Sequence, residues 1–272
     1  MGTDTARSLL AAACTLNLHT GNLMNWGRLK KKCPVSPGEE LGDCIKITLN
    51  EWSSKASPEH VQDSSQTLEC AVTQAMETIN PEEREEMKVS AKLFILDSGV
   101  SSIRNAVDMA CSTLAVAQLD SVIIAPPPLE DGVVLTLEHL QPYWIELESL
   151  VKDNKVVAIG TSDLDKPLLE QLYLWAQIKP NSNQVNLASC CIMPPDLTAF
   201  AKEFDIQLLT HSDSKEILSE ESFQEVMRDS VDGSDADAWS PVWILRYSVI
   251  VKTRGIIKSK GYIVQAKRKA PH

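Results

Sequence analysis

The chain has 272 residues, of which 43% are hydrophobic and 23% charged, with a net charge of −11. That length and balance suit a soluble globular protein with one large core, and a (β/α)8 barrel typically takes roughly 250 residues. The acidic balance excludes chain-wide electrostatic binding to nucleic acid, and no apolar run approaches the roughly 20 residues of a membrane span.

Seven cysteines (Cys14, Cys33, Cys44, Cys70, Cys111, Cys190 and Cys191) make an odd set with no C-x-x-C spacing. Free thiols in a reducing, cytoplasmic setting are expected, and zinc is not. The first residues carry a short apolar run without a basic flank, so they do not read as a signal peptide.

Ser8 to Thr15 reads as helix, and Leu18 to Leu23 as a first strand and turn. Cys33 follows three lysines, which favour its thiolate, so it reads either as a reactive or disulfide-forming thiol that could bridge to a partner or as an ordinary surface cysteine. Glu39 to Trp52 has helical apolar spacing, Ser53 to Gln66 is polar loop, and Thr67 to Ile79 reads as a second amphipathic helix. Lys88 to Ile95 is a strand, Ser101 to Leu114 a helix, Leu119 to Pro127 a strand and Leu135 to Val151 a helix.

Lys155 to Cys191 is the most legible stretch. Val156 to Ile159 is a β-branched strand, Gly160-Thr161-Ser162-Asp163 breaks it, and Leu164 to Ile178 has the i, i+3, i+4 spacing of a helix that Asp163 or Asp165 can cap. Gln184 to Leu187 begins the next strand. Such β-α-β units build parallel sheets. Leu197 to Phe204 is a helix and Ile206 to Thr210 a strand. A polar segment from Ser212 to Asp237 has a short helix near Ser222 to Met227, and Trp239 to Val251 is apolar.

Between Glu216 and Asp237 there are eight acidic residues, and from Lys252 onward seven basic residues and no acidic ones. A docking surface and plain solvated charge are both consistent with that pattern. Two regions stand out as docking candidates: Trp239 to Tyr262, with Trp243 and Tyr262, and the Cys190-Cys191-Ile192-Met193-Pro194-Pro195 loop with its soft side chains.

Gly160-Thr161-Ser162-Asp163, Lys179-Pro180 with Gln184-Val185, and Leu197 to Leu209 together resemble the aldo-keto reductases. The resemblance covers roughly residues 88 to 260. It implies an α/β fold of (β/α)8 barrel type in a single domain over 1–272, with a divergent region at about 1–87 and a basic tail at about 252–272. It matches Lys92 to the family's catalytic lysine, but Ala125 falls where the histidine belongs. Ser54 to Gln66, where the aspartate and tyrosine are expected, offers Asp63 and no tyrosine. Carbonyl reduction is therefore not expected, since a general acid must reach the reacting oxygen. Ser162 and Gln184 match positions that hold the cofactor's nicotinamide amide, and Lys258 and Ser259 match the phosphate-holding segment. The resemblance thus makes NADPH possible and no cofactor required.

Gly21 to Arg28, Glu82 to Phe94, Ser182 to Cys191 and Arg254 to Tyr262 carry a closer resemblance, to the regulatory-subunit family of glutamate–cysteine ligase. It implies a non-catalytic chain that pairs with the ligase's catalytic subunit as a heterodimer. It also implies a higher affinity of that subunit for glutamate and relief of its inhibition by glutathione.

Overall fold

A computed structural model describes residues 2–26, 36–56, 66–97, 99–127, 129–130, 132–187 and 192–269. It separates into two compact units. The first comprises Met1–Glu77, Ser214–Ile244 and Ser259–His272, and the second Thr78–Asp213 and Leu245–Lys258.

In the first unit, helix α1 (Gly2–Ala12) leads into strand β1 (Thr15–His19), helix α2 (Pro37–Lys55) and strand β2 (Thr67–Ala71). Sequence dictates α2 clearly. Ser36 caps it by accepting from the Glu39 amide, Pro37 opens it, Glu39 and Glu40 sit in the first turn, and Lys55 closes it. Leu41, Cys44, Ile45 and Leu49 form its buried stripe. β1 and β2 pair in parallel, so β1-α2-β2 is a β-α-β unit.

β2 replaces the helix expected over Thr67 to Ile79. The stretch Leu68-Glu69-Cys70-Ala71-Val72 also carries a period of two, and pairing to β1 decides for strand, with Cys70 and Val72 buried. The helix α7 (Glu220–Ser230) lies in the same unit and is capped by Ser219.

The second unit holds five successive parallel strands: β3 (Met87–Ile95), β4 (Leu119–Ile124), β5 (Val156–Ser162), β6 (Ser182–Asn186) and β7 (Gln207–His211). Helices α3 (Ser101–Leu114), α4 (Leu137–Lys152), α5 (Lys166–Trp175) and α6 (Pro195–Glu203) alternate with them. Asp165, not Asp163, caps α5 by accepting from the Leu168 amide at 3.0 Å.

The α/β class and its β/α alternation are those expected from the sequence. The departure is at the end of the chain. β8 (Trp239–Val251) and β9 (Ile256–Arg268) form a long hairpin whose turn uses Gly255 at φ +63°. β9 runs antiparallel to β1, so the strict parallel repeat stops at β7. The strand order is β2-β1-β9-β8 in the first unit and β8-β3-β4-β5-β6-β7 in the second. No helix of the described residues is long and apolar enough to cross a membrane.

Candidate functional site

Charged side chains gather in the second unit where β5 and β7 end. Asp213 follows β7 and is 3% exposed, while Lys92 in the middle of β3 is 6% exposed. The Lys92 Nζ donates to Asp213 Oδ2 at 2.8 Å. Arg246 on β8 grips the same carboxylate through both nitrogens, Nη1 to Oδ1 at 2.6 Å and Nη2 to Oδ2 at 3.0 Å. Such a bidentate fork is among the stronger ion-pair geometries.

His211, the last residue of β7, completes the cluster. Its Nε2 lies 2.9 and 3.0 Å from the two oxygens of Asp163. Its Nδ1 accepts the Asp213 amide at 3.1 Å and lies 3.2 Å from Asp213 Oδ2. Asp163 occupies the left-handed region, at φ +60°, and accepts the Asn186 amide at 3.0 Å. Its carboxylate is therefore committed to the imidazole and the β6 backbone, which explains why it does not cap α5.

The electrostatics follow from competition between burial and partners. Burial alone would raise the Asp213 carboxyl, but its contacts with His211, Arg246 and Lys92 outweigh it and hold the group far below the ordinary carboxylate range. Burial lowers Lys92 from its ordinary value, with Asp213 opposing. For His211, burial pulls downward and is outweighed by Asp163 and Asp213, so the imidazole binds its proton more tightly than in water.

A buried lysine needs a carboxylate, and Asp213 supplies it to Lys92. The segment expected to carry the partner acid, through Asp63, lies outside the described residues apart from its flanks. Ala125 follows β4, where its amide donates to the Leu93 carbonyl, and it brings no titratable group. His211 and Asp213 are the residues that sequence reading passed over. The only signal was a His-Ser-Asp run at the C-terminal end of a parallel strand, the usual place for function in such folds.

Ser162 and Gln184 do come together. They are register partners across β5 and β6, and the Ser162 Oγ and Gln184 Oε1 are buried without a hydrogen-bond partner, as is the Thr161 Oγ1. Unpaired buried oxygens of this kind suit an amide ligand. Of the phosphate-holding positions, Lys258 pairs with Glu83 at 2.6 Å, and Ser259 is 5% exposed with its Oγ also buried without a hydrogen-bond partner.

The docking candidates divide. Cys33, Cys190 and Cys191 lie outside the described residues. Met193 is half-buried just before α6, beside Ile192 at 71% exposed. Trp243 and Tyr262 are core residues instead, 0% and 1% exposed. The Trp243 indole donates to Gln265 and the Tyr262 hydroxyl to Glu40. As indole and phenol they pack inward because each finds a polar partner there, and they present no surface to a second chain.

Much of the basic tail is also spent internally: Lys260 on Glu40, Arg268 on Asp235 and Lys269 on Glu220. Among the described residues there is no group of His, Cys, Asp and Glu that could hold a metal.

No family model matches the chain. Among curated proteins, the glutamate–cysteine ligase regulatory subunit of Rattus norvegicus is 71% identical over 99% of both chains, and that of Homo sapiens 70% identical over 99% of both. Among solved structures, the aldose reductase of Giardia lamblia aligns with 64% of this chain and 54% of its own, at 20% identity and a TM-score of 0.36. On its full-length identity to these curated relatives, the chain belongs to the glutamate–cysteine ligase regulatory subunit family.

Proposed function

We propose that this chain binds the catalytic subunit of glutamate–cysteine ligase in the cytoplasm and performs no carbonyl reduction itself. In the complex it raises the affinity for glutamate and weakens inhibition by glutathione. The observation that carries this reading is the 71% identity over 99% of the chain to a regulatory subunit of that ligase.

The site chemistry supports a non-catalytic role. A reductase needs a proton donor beside its lysine. Here the ammonium of Lys92 is held by a buried carboxylate that Arg246 and His211 also bind. Regulation by binding is a coupling of free energies: the chain must bind the glutamate-competent state better than the glutathione-inhibited one.

The test is co-elution. Purified chain and purified catalytic subunit, mixed under reducing conditions, are expected to run together on size exclusion as one heterodimer. Separate elution at micromolar concentration would refute the assignment. If elution becomes joint only without reductant, the association depends on a disulfide, for which Cys33 is the first residue to replace.

A further inference from the structure

The imidazole of His211 has one nitrogen with two competing partners. Its Nδ1 lies 3.1 Å from the Asp213 backbone nitrogen and 3.2 Å from the Asp213 Oδ2. Its Nε2 faces Asp163 in either case. A neutral ring with its proton on Nε2 donates to Asp163 and accepts the Asp213 amide. A doubly protonated ring has no lone pair left at Nδ1 and donates to the Asp213 carboxylate instead.

We propose that His211 is a proton-operated switch. Its charge state decides whether the chain just beyond β7 is held through the amide of Asp213 or through its carboxylate.

The surroundings make both states available. Two negative groups face the ring, Asp163 from the end of β5 and Asp213 from the segment after β7. Two positive groups stand behind Asp213, Lys92 from β3 and Arg246 from β8. β6 contributes the neutral Gln184 and Asn186; the Asn186 side chain donates to the Asp213 carbonyl at 2.7 Å.

The two cations keep Asp213 ionised whether or not the ring is charged, so proton uptake falls on the ring. Asp163 has fewer donors of its own and gains most from a cationic neighbour. The ring's pKa is raised above its ordinary 6.5, so the charged form persists to higher pH than on a free imidazole. Acidification exchanges the amide contact for a third donor on the carboxylate, and a rise in pH reverses this.

The experiment is a pH titration of the full chain labelled with 15N, following the ring nitrogens of the five histidines and the Asp213 amide. His211→Gln identifies the resonances that belong to His211. Above the midpoint, Nδ1 should report an acceptor nitrogen, and below it a protonated one. The Asp213 amide should shift with the same midpoint, above 6.5. Asp163→Asn should lower that midpoint by about one pH unit, because it removes the nearer of the two carboxylates that face the ring.

The proposal is overturned if Nδ1 stays protonated throughout, if the Asp213 amide does not follow the ring, or if the midpoint lies at or below 6.5. If His211→Gln does not fold, the Asp213 amide of the wild type still decides: it must titrate with a midpoint above 6.5, and its failure to do so overturns the proposal.

Discussion

Asp213 carries the local charge balance at the end of β7. Lys92, Arg246 and His211 all bind it, and it is 3% exposed. Removing one member of a buried pair leaves the others uncompensated, so Asp213→Asn should cost about 3–5 kcal/mol in denaturant unfolding. Lys92→Met should cost much less, since Arg246 and His211 remain on the carboxylate and the replacement packs well. A smaller loss in the Asp213 variant than in the Lys92 variant would show that the lysine, not the aspartate, is the centre.

The pH dependence has a definite sign. A carboxyl whose folded pKa is depressed stabilises above its unfolded pKa and loses that contribution as pH falls through the folded value. The gap between wild type and Asp213→Asn should therefore hold from neutrality to about pH 4 and narrow only below it. His211 works in the opposite direction. Its pKa is raised, so its contribution is complete below the unfolded value of 6.5 and fades as pH rises through the folded one. Wild type and His211→Gln should converge in stability on the alkaline side.

At the scale of elements, two glycines and one glutamate show what fixes the strands and loops. A Cβ at Gly160 in β5 would meet the Ser182 backbone oxygen of β6 at 2.8 Å and clash with its Oγ, so the two strands that bear Ser162 and Gln184 need that glycine. Gly21 just past β1 combines φ +67° with Ala75 backbone atoms 2.5 Å from an added Cβ. Either substitution to alanine should lower the thermal midpoint, and Gly21→Ala more, because it adds backbone strain to the clash.

Glu148 on α4 is 5% exposed and accepts the amides of Gln177 and Ile178 at 2.7 and 2.9 Å. Glu148→Ala strands both donors and should cost about 2–6 kcal/mol by urea unfolding, at about 1–3 kcal/mol for each unsatisfied group. Glu148→Gln keeps an acceptor and should cost less.

These elements also show what the sequence could reveal. The β5-α5-β6 stretch was legible from its apolar spacing, although β5 runs on through Gly160 to Ser162, past the break expected at the glycine. Thr67 to Ile79 was not, since short apolar runs fit both periods and only the pairing to β1 settles the matter. The hairpin of β8 and β9 hid behind its charges: Lys258, Lys260, Arg268 and Lys269 read as a solvated tail but each finds an acid within the chain. The Lys92–Asp213 pair spans 121 residues, a separation that carries no local signal.

For the whole molecule, the proposal is that an α/β chain of the glutamate–cysteine ligase regulatory subunit family acts by binding. Of the four positions matched to dinucleotide binding, Lys258 is taken by Glu83. A fluorescence titration with NADPH should accordingly show no saturable change, and a saturable one would restore the cofactor reading. Thermodynamic reciprocity adds a second expectation. If the chain raises glutamate affinity, glutamate must tighten the subunit pair and glutathione must loosen it by the same factors.

The most direct measurement is the ligase rate of the purified catalytic subunit against glutamate, at fixed glutathione, with and without this chain. A lower apparent KM for glutamate and weaker inhibition by glutathione in its presence are predicted. Identical curves, obtained under conditions where the two chains co-elute, would contradict the regulatory account.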